Sequence, residues 1–352
     1  MHLPKPTITP EILNLIAEID EFKGGWRVYQ NLAPERLAVL KQVATIESVA
    51  SSTRIEGVKL TDRQVETLLQ NLKQQQFSTR DEQEVAGYAE VMHLLFESWN
   101  SIPLTENHIK QLHTLLLRHS DKDERHRGTY KVLSNSVAAF DAQGNQLGIV
   151  FETSTPFETP LQMEALIHWT NQALTDHILH PLVVIALFIV QFLAIHPFQD
   201  GNGRLSRILT TLLLLRSGYV YVPYSSMESV IERNKEGYYL ALRRTQTTLR
   251  DEAPQWEHWL VFFLRTLKQQ KDNLLRKVER ERHFLQALPQ LSVDILELVK
   301  TNGRTTTSDI QLATQANRAT IRKRLEHLVK SGLLQQNGQG KSTWYSLPLA
   351  DV

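Results

Sequence analysis

Residues 182–195 read LVVIALFIVQFLAI, an apolar run with a single glutamine, opened by Pro181 and followed by His196-Pro197. A helix that is hydrophobic on every side has to be buried, so the chain must be built around this one. It is too short for a bilayer, which needs about 20 apolar residues, and no membrane association is expected. Pro181 sits where a first helical turn tolerates proline. Pro197 biases His196 out of helical geometry, so the helix should end near Ile195.

Most of the remaining chain also predicts helices. Residues 10–20 and 34–50 carry apolar side chains at three- and four-residue spacing. Thr61 is placed to cap DRQVETLLQNL, and Thr105 to start ENHIKQLHTLLLRH; the polar stretch 74–83 (QQQFSTRDEQ) reads as a loop. From 127 to 160 the pattern changes to β-branched and aromatic residues broken by turn chemistry at Gly144-Asn145, which predicts a hairpin or flap. Pro160 opens the next helix, and Gly218 closes RLSRILTTLLLLR. Residues 264–284 read as a charged connecting helix. Beyond them, three helices and a Gly-rich hairpin have the pattern of a winged helix-turn-helix. The expected fold is all-α with a small β-hairpin flap, divided as 1–100, 101–266, 267–285 and 286–352.

Function has to be sought in local clusters, because the formal net charge is only +1 and charged residues make up 22%. The absence of cysteine excludes disulfides and thiolate metal sites and fits a reducing compartment. The N-terminus, MHLPKPTITPEILNLI, lacks the pattern of a signal peptide, so a cytoplasmic protein is expected.

One cluster follows the apolar helix directly: HPFQDGNGRLSR, 196–207. Gly201 and Gly203 permit a nest of inward-pointing N–H groups, and the helix that follows adds its N-terminal amides. Arg204 and Arg207, three residues apart, project toward the same space and suit a polyphosphate. Asp200 beside that anion site calls for a hard cation such as Mg²⁺. His196 can take up a proton near neutral pH. Base, metal ligand and phosphate cradle together point to phosphoryl-type transfer from a nucleotide.

The stretch resembles the signature of Fic-domain proteins, HPFx[DE]GNGRxxR, at every fixed position. The likeness extends to the flap and to ERNKEGYYLAL after the motif. It implies a Fic-type helical core that transfers AMP from ATP, with Mg²⁺, to a Ser, Thr or Tyr hydroxyl of a target protein. On this resemblance His196 would be the general base and Asp200 the Mg²⁺ ligand. Gly201, Asn202 and Gly203 would cradle phosphates, and Arg204 and Arg207 would hold the β and γ positions. Tyr238 and Tyr239 would lie near the nucleotide base, and the flap around Phe151 would pair with the target's backbone. SSTRIEG, 51–57, fits the family's inhibitory pattern [ST]xxxE[GN] with Ser52, Glu56 and Gly57. Glu56 would then compete with the ATP γ-phosphate for Arg207. Removal of AMP, a different donor nucleotide, or a DNA-binding regulator with a nucleotide-sensing Fic domain are the alternatives. The C-terminal unit carries Arg318, Arg322, Lys323, Arg324, Lys330 and Lys341, which raises DNA as a partner. A homodimer is left open.

Overall fold

The computed structural model describes residues 5–29, 34–72, 77–140, 146–286 and 288–348. The all-α expectation holds. Before the flap come α1 (Pro10–Tyr29), α2 (Pro34–Ile55), α3 (Asp62–Gln70), α4 (Arg80–Ser98) and α5 (Glu106–Leu116). The flap is β1 (Val137–Phe140) with β2 (Gln146–Phe151). After it come α6 (Thr159–Thr175), α7 (Pro181–Ile195), α8 (Asn202–Arg216), α9 (Met227–Arg233), α10 (Lys235–Gln246) and α11 (Glu257–Gln286). The chain continues with α12 (Gln290–Asn302), α13 (Thr307–Thr314), α14 (Arg318–Lys330), β3 (Gln335–Asn337) and β4 (Trp344–Ser346).

Helix α7 is the apolar run, and every residue from Leu182 to Ile195 is buried. Pro181 opens it and His180 Nδ1 accepts the Leu182 N–H, relieving one of the orphan donors of the first turn. It is covered by α6, α8 and α10, and Trp259 of α11 donates its indole N–H to Ala186 O at 2.7 Å. Helix α4 starts within the stretch expected to be a loop. Thr79 and Glu82 form a reciprocal capping box, so a polar segment can begin a helix at Arg80.

In the flap, β1 and β2 run antiparallel, with Val137 opposite Phe151 and Phe140 opposite Gln146. The expected turn at Gly144-Asn145 lies outside the described residues. Helix α11 runs without a break through the segment expected as a connecting helix. None of the helices among the described residues is long and apolar enough to cross a membrane.

Contacts divide the chain into two units, residues 1–26 with 41–273 and residues 27–40 with 274–352. The second contains α12, α13 and α14, followed by the β3–β4 ribbon, with Thr305 bridging to Tyr345. Its core is Ile295, Val299, Ile310, Ile321, Leu325, Leu328 and Tyr345. Gln315 in a left-handed conformation ends α13, and the Asn317 side chain caps α14 two residues later.

Candidate functional site

The site is built where α7 stops and α8 starts. His196 is the last cap of α7, in the left-handed region at φ 53°, ψ 60°. A non-glycine residue held there costs about 1–3 kcal/mol, so the surrounding structure must enforce it. Its Nδ1 lies 3.2 Å from Leu193 O. That carbonyl can only accept, so Nδ1 carries the hydrogen and Nε2 keeps its lone pair. Burial pushes the imidazole down to about 4. His196 is therefore a neutral base at physiological pH.

The turn between the helices is locked from within. Asn202 accepts the Phe198 N–H at 2.9 Å and donates to Phe198 O at 2.7 Å, closing a small ring. The Asn202 side chain is thus engaged within the loop itself. Gly201 adopts φ +80°, which a side chain would resist. Phe198 is fully buried and stacks on His113 of α5, centroids 3.8 Å apart and planes 15° apart. His113 accepts the Gly128 N–H on Nδ1 at 2.8 Å and donates from Nε2 to Asp200 O at 3.0 Å. Burial holds it neutral, down to about 4.

Asp200 Oδ1 accepts the Gly201 N–H at 2.5 Å and lies 3.3 Å from Arg204 Nη2. Oδ2 lies 3.6 Å from Arg80. Burial opposes ionisation of this carboxyl, but the Arg204 guanidinium and the Gly201 N–H outweigh it and hold it below the usual range. Arg204 is itself buried, with Nη1 2.9 Å from Glu84 Oε2 in an ion pair off the hydrogen-bond direction. Glu84 in turn pairs with Arg80 at 2.7 Å. The arginine expected to hold phosphate thus lies in a four-membered charge network that also positions Asp200.

Arg207 meets the second motif. Its Nε donates to Ser52 Oγ, and its Nη2 donates to Ser52 O and to Glu56 Oε1, each at 2.8 Å. Glu56 stands just beyond the end of α2, and Gly57 at φ +109° turns the chain away. The Glu56 carboxylate lies over Gly203 in the first turn of α8, so closely that a Cβ on Gly203 would collide with it. An internal anion therefore rests on the N-terminal turn of α8, where that helix favours negative charge. Arg207 Nη1 is buried with no hydrogen-bond partner among the described residues. Tyr238 is buried beside Trp259, and Tyr239 is 42% exposed. Phe151 ends β2, partly buried.

Residues 103–214 match the Fic/DOC family model. The chain carries a Fic/DOC domain. The matched span contains α5 to α7, α8 as far as residue 214, and the whole of HPFQDGNGRLSR. Glu56, Arg80 and Glu84 precede the matched span. The protein adenylyltransferase Fic of Drosophila virilis is 28% identical over 268 residues, 73% of this chain and 51% of that protein. The protein of the same name from Drosophila grimshawi is 30% identical over 181 residues, 51% of this chain and 35% of that one. This chain therefore spans about half the length of these relatives, or less. Among solved structures, a Fic family protein from Desulfovibrio desulfuricans matches with a TM-score of 0.64 and 26% identity, covering 99% of both chains. A Fic domain containing signaling protein from Bacteroides thetaiotaomicron matches with a TM-score of 0.56 and 25% identity, covering 76% of this chain and 94% of that one.

Sequence reasoning missed His113, Arg80 and Glu84. Their signal was faint but present. His113 lies on the apolar stripe of α5 with Ile109, Leu112 and Leu116, and Glu84 stands at the buried face of α4 beside Val85 and Tyr88. A polar residue on such a stripe needs a partner from elsewhere in the fold.

Proposed function

We propose that this chain is a protein AMP transferase using ATP, restrained by its own Glu56. The observation that carries the reading is the Glu56 carboxylate on Arg207 and Gly203, in the first turns of α8, whose preceding loop begins with the neutral base His196. In the step proposed, a Ser, Thr or Tyr hydroxyl oxygen of a target protein attacks the α-phosphorus of ATP. A new O–P bond forms, the Pα–O–Pβ bond breaks, pyrophosphate leaves, and the hydroxyl proton passes to His196 Nε2. Gly203 and the α8 N-terminus would receive phosphate oxygens, and Arg207 the outermost one once Glu56 withdraws. Tyr239, partly exposed, would border the nucleotide base, with Tyr238 packed behind it. The strand around Phe151 would pair with the target's extended backbone.

Asp200 fits the Mg²⁺ that such a nucleotide carries. It is an ionised, partly exposed carboxylate, and Mg²⁺ commonly takes one or two carboxylates with substrate phosphates supplying other ligands. Bound there, the cation would neutralise phosphate charge.

The deciding experiment is a mass-shift transfer assay with four nucleotides on the parent, Glu56→Gly and His196→Ala. Transfer that rises in Glu56→Gly and vanishes in His196→Ala supports the reading. Equal adduct formation in all three overturns it. Hydrolytic removal of AMP is the second reading, because Glu56 is close enough to the same site to orient a water. It predicts AMP release from a modified target by the parent and none by Glu56→Gly. For the second unit we propose a winged helix that contacts DNA. The exposed face of α14 carries Arg318, Arg322, Lys323 and Lys330 against a single Glu326. The lack of cysteine supports a cytoplasmic setting.

A further inference from the structure

The turn that carries His196 is held from outside by one short segment. Pro197 O accepts from the Lys131 N–H at 2.9 Å, and Ile195 O from Lys131 Nζ at 2.9 Å. His196 O and Phe198 O both accept from Asn135 Nδ2, at 3.1 and 2.6 Å. Four consecutive carbonyls, from residue 195 to residue 198, are therefore bound by two side chains and one amide of residues 131–135. The preceding carbonyl, Ala194 O, accepts from Ser154 N–H at 3.4 Å. The carbonyls of Ala194, Ile195 and His196 are among those that the end of α7 leaves unsatisfied, and those of Pro197 and Phe198 belong to the turn beyond it.

The ammonium at the centre is unusual. Lys131 is 3% exposed and has no carboxylate within ion-pair distance among the described residues. Its Nζ donates to Asn135 Oδ1 at 2.8 Å, Thr153 Oγ1 at 3.0 Å and Ile195 O, so neutral oxygens take all three hydrogens. Thr153, two residues after the end of β2, donates in turn to Asn135 Oδ1 at 2.9 Å. A buried cation without a counter-ion is costly, and a merely structural clamp could be made from neutral groups. Here the charge sits at the negative pole of α7, directly before the base.

We propose that Lys131, with Asn135 and Thr153, is the positioning device of the transfer reaction: it fixes the left-handed backbone of His196 and ties it to the exit of the flap. This rests on the AMP-transfer reading. Because Thr153 follows the flap strand that would receive the target by two residues, a target seated on β2 is registered at the base through two hydrogen bonds, Thr153 to Lys131 and Lys131 to Ile195 O. The charge has a second effect. Lys131, Glu56 and Asp200 face His196; the two carboxylates favour its protonated form, and Lys131 disfavours it. Glu158 is the charged group that faces Lys131 from the start of α6.

The test uses the full-length Glu56→Gly chain as background, with Lys131→Met, Thr153→Val and Thr153→Ser added singly. Readouts are transfer kcat, ATP affinity by calorimetry, thermal unfolding and the His196 imidazole titration by NMR. Lys131→Met should lower kcat by roughly 10²-fold, the scale of a 1 Å misplacement, with ATP affinity unchanged and the imidazole titrating at higher pH. Thr153→Val should lose kcat, and Thr153→Ser should restore it. An unchanged kcat in Lys131→Met, an unmoved imidazole, or a loss of ATP affinity in step with kcat would each overturn the proposal. If Lys131→Met does not fold, the Thr153 pair decides, and equal activity of Val and Ser counts against it. A background that transfers nothing while the imidazole still shifts would sink the transfer reading and leave the positioning role standing.

Discussion

His113 and His196 are both held neutral by burial, at about 4, and that fixes how the molecule answers to acid. Each is depressed below the ordinary value near 6.5, so the unfolded chain binds protons that the folded chain refuses. Stability is therefore full above pH 6.5 and falls as pH drops toward 4. Chemical denaturation at pH 7 and pH 4.5 should show this loss, and His113→Gln, though destabilised, should show a smaller one. An equal pH dependence in that variant would move the effect elsewhere. The same neutral base implies that kcat/KM keeps no acid limb between pH 6 and 8. His196→Ala should cost ~10²–10⁴-fold in transfer with ATP binding retained, measured by single-turnover kinetics and calorimetry. Local sequence marks the motif residues because their chemistry is contiguous. Lys131 and Asn135 were not legible, since the carbonyls they bind lie more than sixty residues further along the chain and no local spacing shows them.

The end of α2 is the element on which the proposed restraint by Glu56 turns. Arg54 donates to both oxygens of Glu232 on α9, at 2.6 and 2.9 Å, and to Asp62 at 2.7 Å. These contacts anchor the turn that presents Glu56. Site-to-site couplings of ~1–3 kcal/mol correspond to roughly 5–150-fold, so Glu56→Gly should raise transfer within that range. Glu232→Gln should raise it less, because it loosens the support and leaves the carboxylate in place. Adding Glu56→Gly to Arg207→Ala should give little further gain, which a double-mutant cycle measures; additive effects would mean that the pair does not act as one. Elements with their own caps or prolines were legible at this scale: α3 at Thr61, α5 at Thr105, α7 between Pro181 and Ile195. The start of α4 was not, because a run of polar residues looks like a loop until the Thr79–Glu82 pair is seen to close on itself.

At the scale of the whole molecule, the chain joins the unit that carries the α7–α8 turn to a small three-helix unit with a basic helix face. If that face meets DNA, binding by the full chain should weaken steeply with salt, as released counterions require. Fluorescence titrations at several salt concentrations measure the slope, and Arg322→Ala should reduce it by about one. Absence of binding at low salt would assign the face to protein contacts. The three-helix-and-hairpin order was legible because each element there is short and set off by its own turn, with Thr306 and Asn317 capping the second and third helices. The partition of residues 27–40 with the C-terminal unit was not, because that grouping depends on contacts between distant parts of the chain.

Glu56 is tethered, and this gives its contact with Arg207 a property that a dissolved inhibitor lacks. Short tethers hold a group at an effective concentration on the order of millimolar, whatever the protein concentration. Dilution cannot relieve the restraint, and accumulation of the protein cannot deepen it. Only a rival for the same guanidinium, present at comparable concentration, can displace the carboxylate. On the AMP-transfer reading proposed above, the contact would set a threshold on the nucleotide pool itself, below which the site would stay closed to its own donor.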